Sequence, residues 1–195
     1  MATIAVMGGS YNPVHIGHMM VAQYVAQWCH GIDRVMMVLS PANPLKTGAT
    51  DIVEDHHRLA MLRLACSQSC NTVIASDIEL SMPRPSYTID TLRRLKAENP
   101  ADSFRLVIGS DNWNCFNRWR EADAIISDFG LIVYPRPGYP PAAVPQHLAS
   151  RVAVIDAPVA EISSTWIRRA IGHGHKVNFF LPPGVCEYIS QHNLY

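Results

Sequence analysis

The sequence predicts an α/β protein built on a doubly wound parallel sheet with helices on both faces. Three observations carry that expectation. Short, wholly apolar runs recur along the chain, as strands buried on both faces require. Helical periodicity fills the intervals between them. The turn after the first run, Gly8-Gly9-Ser10-Tyr11-Asn12-Pro13-Val14-His15-Ile16-Gly17-His18, is glycine-rich and lies where a parallel sheet presents its strand ends to a ligand.

The elements follow in order. Ile4–Met7 reads as a first strand, and Met19–Ala22 as the apolar part of the helix after it. Val35–Leu39 is a second strand. Glu54–Gln68 is a helix with Leu59, Leu62 and Cys66 on one face. Thr72–Ala75 is a third strand. Tyr87–Glu98 is a helix facing inward through Ile89, Leu92 and Leu95, with Ser86 placed as its N-cap. Phe104–Ile108, Leu131–Tyr134 and Val152–Ile155 are further strands, and Trp166–Ile171 and Val185–His192 are closing helices. Right-handed crossovers make this a Rossmann-like sheet. The proline-rich stretches after the second strand and after Tyr134 interrupt one sheet rather than join two domains. A single domain spanning residues 1–195 is therefore expected, with a small helical C-terminal part from about residue 160.

With 195 residues, 48% of them hydrophobic, the chain can bury one sizeable core. Sixteen basic and sixteen acidic residues give a formal charge of +0, which argues against a nucleic-acid partner. The five cysteines lack CxxC spacing, and free thiols suit a reducing compartment. No leader and no membrane-length apolar run is visible, so a cytoplasmic location without a membrane partner is expected. Homo-oligomerisation stays open.

The opening turn suits phosphate. Gly8 and Gly9 allow close backbone approach to a ligand, and Gly17 leaves room beside the first helical turn. The helix start attracts an anion through its N–H groups and dipole. His15 and His18, three residues apart, can aim their imidazoles to one side. A histidine at a helix start is also a common cap. An HxxH pair can bind metal, though no third ligand at suitable spacing accompanies it. Spacing alone leaves phosphate chemistry and a structural role evenly balanced.

Two motifs shift that balance. The turn from Gly8 to His18 resembles the signature of the nucleotidyltransferase superfamily carrying an (H/T)xGH motif, and Ile162-Ser163-Ser164-Thr165-Trp166-Ile167-Arg168 resembles its ISSTxIR motif. Between them, Pro41–Lys46 is similar to a PxxPHK loop, Pro85-Ser86-Tyr87-Thr88 to PSYT, Gly109-Ser110-Asp111 with Trp119 to GxD…W, and Arg136-Pro137-Gly138 to an RPG turn. Leu181-Pro182-Pro183 with Val185 and Tyr188-Ile189 resembles the family ending. On these residues the chain is identified as a member of the bacterial nicotinate-nucleotide adenylyltransferases.

The resemblance implies a cytoplasmic enzyme of NAD synthesis, whose substrates are ATP and nicotinate mononucleotide. His15, His18, Lys46 and Arg168 are then the catalytic set. Gly8, Gly9, Ser10, Gly17, Ile162, Ser163, Ser164 and Thr165 bind ATP. Asn12, Ser86, Tyr87, Thr88, Gly109, Asp111 and Trp119 bind the mononucleotide. Magnesium (Mg2+) is expected to arrive through the ATP phosphates, without a protein metal site. Specificity for nicotinamide mononucleotide or pantetheine phosphate is the nearest alternative, and a non-catalytic nucleotide sensor on the same fold is the alternative from another class. Two positions depart from the family pattern: Asn12 stands where many relatives have aspartate, and Leu45 where they have the histidine of PxxPHK. His56, His57, His173 and His175 match no family motif.

Overall fold

A computed structural model describes residues 1–41 and 52–195. Six strands form one sheet: β1 Thr3–Gly9, β2 Arg34–Leu39, β3 Val73–Ser76, β4 Ser103–Gly109, β5 Leu131–Tyr134 and β6 Val152–Val154. Their spatial order is β3-β2-β1-β4-β5-β6, and every pairing is parallel. The helices among the described residues are α1 Ile16–Trp28, α2 Asp55–Ser67, α3 Thr88–Glu98, α4 Ser110–Trp113, α5 Ala122–Asp128, α6 Ser164–Gly172 and α7 Val185–Gln191, with short 3-10 turns between some of them. None is long and apolar enough to cross a membrane.

Strand residues alternate between two cores. Ala5 and Met7 of β1 face one, with Val35 and Met37 of β2, Leu62 of α2, Ile167 of α6 and Ile189 of α7. Ile4 and Val6 face the other, with Leu92 of α3, Ile108 of β4 and Ile125 of α5. Burial on both faces is why the strands read as unbroken apolar runs. The closing helices share the first core with β1 and β2, so they complete the sheet's covering.

The expected strands and long helices are present with ends displaced by a residue or two. The third strand runs one residue later than expected, and α6 starts at Ser164 rather than Trp166. The expectation for α3 needs correction. Its N-cap is Tyr87, without a side-chain cap bond, and the Ser86 hydroxyl instead donates to Glu79 Oε2 at 2.9 Å. The hydroxyl proton goes to the buried Glu79 carboxylate in a charge-assisted bond.

Candidate active site

The order of the strands changes direction between β1 and β4, and there the carboxyl ends of adjacent strands open a crevice. The glycine-rich turn leaves β1, and Gly109 ends β4, so both converge on it.

In the first turn, Tyr11 adopts a left-handed backbone (φ 43°) and is buried, with its hydroxyl donating to Met7 O at 2.6 Å. A Cβ on Gly9 would stand 2.8 Å from the Tyr11 ring, and one on Gly17 would stand 3.1 Å from His15 Nδ1. Gly9 thus makes room for the Tyr11 ring, and the room that Gly17 leaves beside the first helical turn is taken by the His15 ring. Gly8 has open space before it, with Ser40 Oγ at 3.8 Å from such a Cβ.

His15 is the N-cap of α1 and is buried, with its ring stacked on His18 at 3.7 Å. The His15 backbone N–H donates to His18 Nδ1 at 3.2 Å, which puts the proton of a neutral His18 on Nε2. The edge of Tyr11 braces His18, with ring centroids 5.1 Å apart. Burial, helped by the Arg136 charge, lowers the His15 pKa from 6.5 to about 4. His15 is therefore a neutral imidazole at neutral pH.

That shift predicts a pH dependence of stability. The folded pKa lies below the unfolded one, so the contribution is complete above pH 6.5 and is lost as pH falls from 6.5 towards 4. This one group should make the protein about 2 kcal/mol less stable at pH 5 than at pH 7.5. Urea unfolding at the two pH values checks it, with His15→Asn expected to lose that component. Equal pH dependence in the variant would refute the assignment.

The C-terminal motif docks on this turn. Ser164 Oγ donates to Pro13 O at 2.9 Å, and Arg168 Nη1 donates to Asn12 O at 2.9 Å. Ser163 caps α6 by accepting the Trp166 N–H at 3.2 Å. The two motifs therefore meet at one turn, with the Arg168 guanidinium bonded to the backbone three residues before His15. Thr165 is exposed beside them. The Ile162 side chain packs against the first core, which leaves only its backbone available to a nucleotide. Asn12 is buried, and its Oδ1 accepts from the Tyr195 hydroxyl at 2.7 Å and the Val53 N–H at 3.3 Å. Its side chain therefore ties three segments together. Lys46 and Leu45 lie outside the described residues.

On the β4 side, Ser110 Oγ donates to Tyr139 O at 2.6 Å and accepts the Arg136 N–H at 2.9 Å. A Cβ on Gly109 would fall 2.4 Å from Asp111 Oδ1 and 2.6 Å from Arg136 Cδ, so any other residue there would displace both side chains. His15 Nδ1, Asp111 Oδ1 and Trp119 Nε1 are buried without a hydrogen-bond partner among the described residues. Buried polar atoms are normally satisfied, so three such atoms around one crevice point to a ligand.

A cavity of about 220 Å³ opens at this crevice; Gly8, Gly9, Ser86, Tyr87, Thr88, Gly109 and Trp119, all expected from the sequence, line it, whereas Asn12, His15, His18, Asp111 and Arg168 are not part of its lining. Gly8 and Gly9 both line it and start the turn bearing the histidines. The sequence reading missed Glu79, Arg118 and Arg120, which line the same cavity. It also missed Arg58, whose side chain is fully buried in α2. Arg58 donates to Ser10 O at 2.7 Å, Ser40 O at 3.0 Å and Val53 O at 3.0 Å, and it is bonded to Asp55. It thus ties the first turn to the end of β2. An arginine between His57 and Leu59 carries no local sign of burial; only Tyr11 and the two cavity arginines sit inside or beside a motif that could have flagged them.

Known proteins resemble this chain in sequence and in fold. Residues 6–170 match the cytidylyltransferase-like family. A probable nicotinate-nucleotide adenylyltransferase of Bacteroides fragilis is 44% identical over 186 residues, which cover 95% of this chain and 90% of that one. A protein of the same description from Flavobacterium johnsoniae is 40% identical over 187 residues, covering 96% and 95%. Among solved structures, a Plasmodium falciparum nicotinic acid mononucleotide adenylyltransferase complexed with NaAD superposes with a TM-score of 0.79 at 22% identity, over 100% of this chain and 98% of that one.

Proposed function

The chain belongs to the nicotinate-nucleotide adenylyltransferases of the cytidylyltransferase-like family, and from that premise we propose how its own residues carry the reaction. ATP and nicotinate mononucleotide give nicotinate adenine dinucleotide and pyrophosphate, a step of NAD biosynthesis. One observation carries the assignment of roles: the docking of Ser164 and Arg168 onto the Asn12-Pro13 backbone, which unites both motifs beside the cavity.

The 5′-phosphate of the mononucleotide attacks the α-phosphorus of ATP in line, the bond to the bridging oxygen breaks, and pyrophosphate leaves. A phosphate dianion is nucleophilic already, so the protein supplies position and charge neutralisation rather than a base. His18 donates from Nε2 to the transferred phosphoryl oxygen, where charge grows. His15, a neutral imidazole, supports it from beneath and offers a second polar contact. The N–H groups opening α1, which no acidic first-turn side chain competes for, add to the anion site. Arg168 holds the β- and γ-phosphates with its fork, aided by Ser163, Ser164 and Thr165. Lys46 neutralises further phosphate charge.

Trp119 offers its face to the pyridine ring, and the backbone N–H groups at Tyr87 and Thr88 hold the carboxylate. Asp111, with an unpartnered Oδ1, accepts from a ribose hydroxyl. Among the described residues no three His, Cys, Asp or Glu side chains stand close enough to ligate one ion. Magnesium would come with the ATP phosphates and would screen the charge that Arg168 and the histidines also meet.

Pyrophosphate release with ATP and a panel of acceptors tests the reading. Nicotinate mononucleotide should turn over fastest. Faster release with nicotinamide mononucleotide or phosphopantetheine would reassign the substrate, and ATP binding without release would mark a sensor.

A further inference from the structure

The mononucleotide cavity contains a charge that should oppose its proposed substrate. Glu79 is buried and lines it. Both of its oxygens are engaged, Oε2 by the Ser86 hydroxyl at 2.9 Å and Oε1 by the Thr91 hydroxyl at 2.8 Å. Those bonds hold the entry to α3 in place, but hydroxyls do not neutralise a carboxylate. A second carboxylate, on a pyridine ring bound nearby, would be repelled.

The lining also contains Arg118 and Arg120, on either side of Trp119. Arg118 closes a 3-10 turn, Phe116–Arg118, after which the Trp119 ring centroid lies 5.1 Å from that of Phe116. Arg120 is held at the cavity mouth: its guanidinium carbon lies 4.7 Å from the Tyr87 ring centroid, and its Nη1 lies 3.4 Å from Asp90 Oδ2. Tyr87 is the N-cap of α3, so Arg120 stands beside the N–H groups that would hold a ring carboxylate. Among the described residues Glu79 is the one acidic side chain in the lining, and the two arginines turn the formal charge of those residues from −1 to +1.

We propose that Arg118 and Arg120 are specificity-determining residues that make this cavity select a mononucleotide bearing a ring carboxylate over one bearing a carboxamide. The proposal rests on the adenylyl-transfer reading of the site. The two ligands have nearly the same shape and differ by one negative charge, so long-range charge is what can separate them without a dedicated contact. The effect is exerted on binding, because the carboxylate is remote from the reacting phosphate and its charge is unchanged by the reaction.

The test is steady-state kinetics of the full-length protein with nicotinate and nicotinamide mononucleotides, using Arg118→Gln, Arg120→Gln and the double variant. Each single change should lower the acid-over-amide ratio of kcat/KM about two- to fivefold, the range for exposed charges. The loss should fall on KM for the acid, with kcat and the amide kinetics unchanged. Arg120→Lys should keep most of the ratio. Asp90→Asn, which removes a competing carboxylate from Arg120, should raise it. Added salt should erode the wild-type ratio more than that of the double variant.

An unmoved ratio in the double variant overturns the proposal. So does an equal loss on both mononucleotides, which would give the arginines to the fold or the chemistry. A wild-type protein that transfers no adenylyl group sinks the reading of the site and this proposal with it. A working wild type with an unmoved ratio sinks the proposal alone.

Discussion

His18→Ala should lower kcat about 10²–10³-fold, the effect of removing one preorganised donor from a site of developing charge. KM for the mononucleotide should change little, because the imidazole meets the transferred phosphoryl group rather than the pyridine end. The geometry makes His18 the sharper target of the pair. Its Nδ1 is occupied by the His15 N–H and its ring is braced by Tyr11, which leaves Nε2 as the donor of the neutral imidazole. His18→Asn, which restores a side-chain donor, should recover part of the loss. A fall in kcat of less than about tenfold for His18→Ala would remove the residue from the chemistry.

The second large effect belongs to a residue that touches no substrate. Arg58→Met should destabilise the protein by about 3–5 kcal/mol, as removal of one member of a buried charged network does. The methionine fills much of the space but leaves the carbonyls of Ser10, Ser40 and Val53 without their donor. Asp55 keeps its bond to Arg84 at 2.7 Å, which limits the damage on that side. Arg58→Lys should lie between, since one ammonium cannot reproduce a fork spanning three segments. Denaturant unfolding at pH 7.5 measures both. A loss below about 1 kcal/mol for Arg58→Met would mean that water serves these carbonyls as well as the guanidinium does.

Much of the fold was legible because its determinants are local. Strands buried on both faces must be apolar throughout, so β1, β2, β4 and β5 stand out as runs. Helices of eleven residues or more, such as α2 and α3, are long enough to show a period. The four residues of α4 are not; α5, with seven, also went unseen, although α7 of the same length, whose residues resemble the family ending, was foreseen, and α4 and α5 provide the crossover between β4 and β5. Short helices owe their form to what packs on them.

The site divides in the same way. The residues able to meet phosphate were legible as motifs, because glycines, histidines and hydroxyls at fixed spacing describe a turn and a helix start. What those residues do to one another was not. Gly9 serves the Tyr11 ring, Ser86 serves Glu79 rather than α3, and the Asn12 side chain serves Tyr195 and Val53. By itself the sequence determined the layered α/β fold, the two turns that bear the phosphate-binding groups, and the chemistry those groups can perform. Only the tertiary structure decided that the turns meet, that His15 is neutral, and that Arg58, Glu79, Arg118 and Arg120 belong to the site. Hydrogen-bond partners and the charges lining a cavity depend on segments distant in sequence, and local patterns of residues cannot encode which of them will come together.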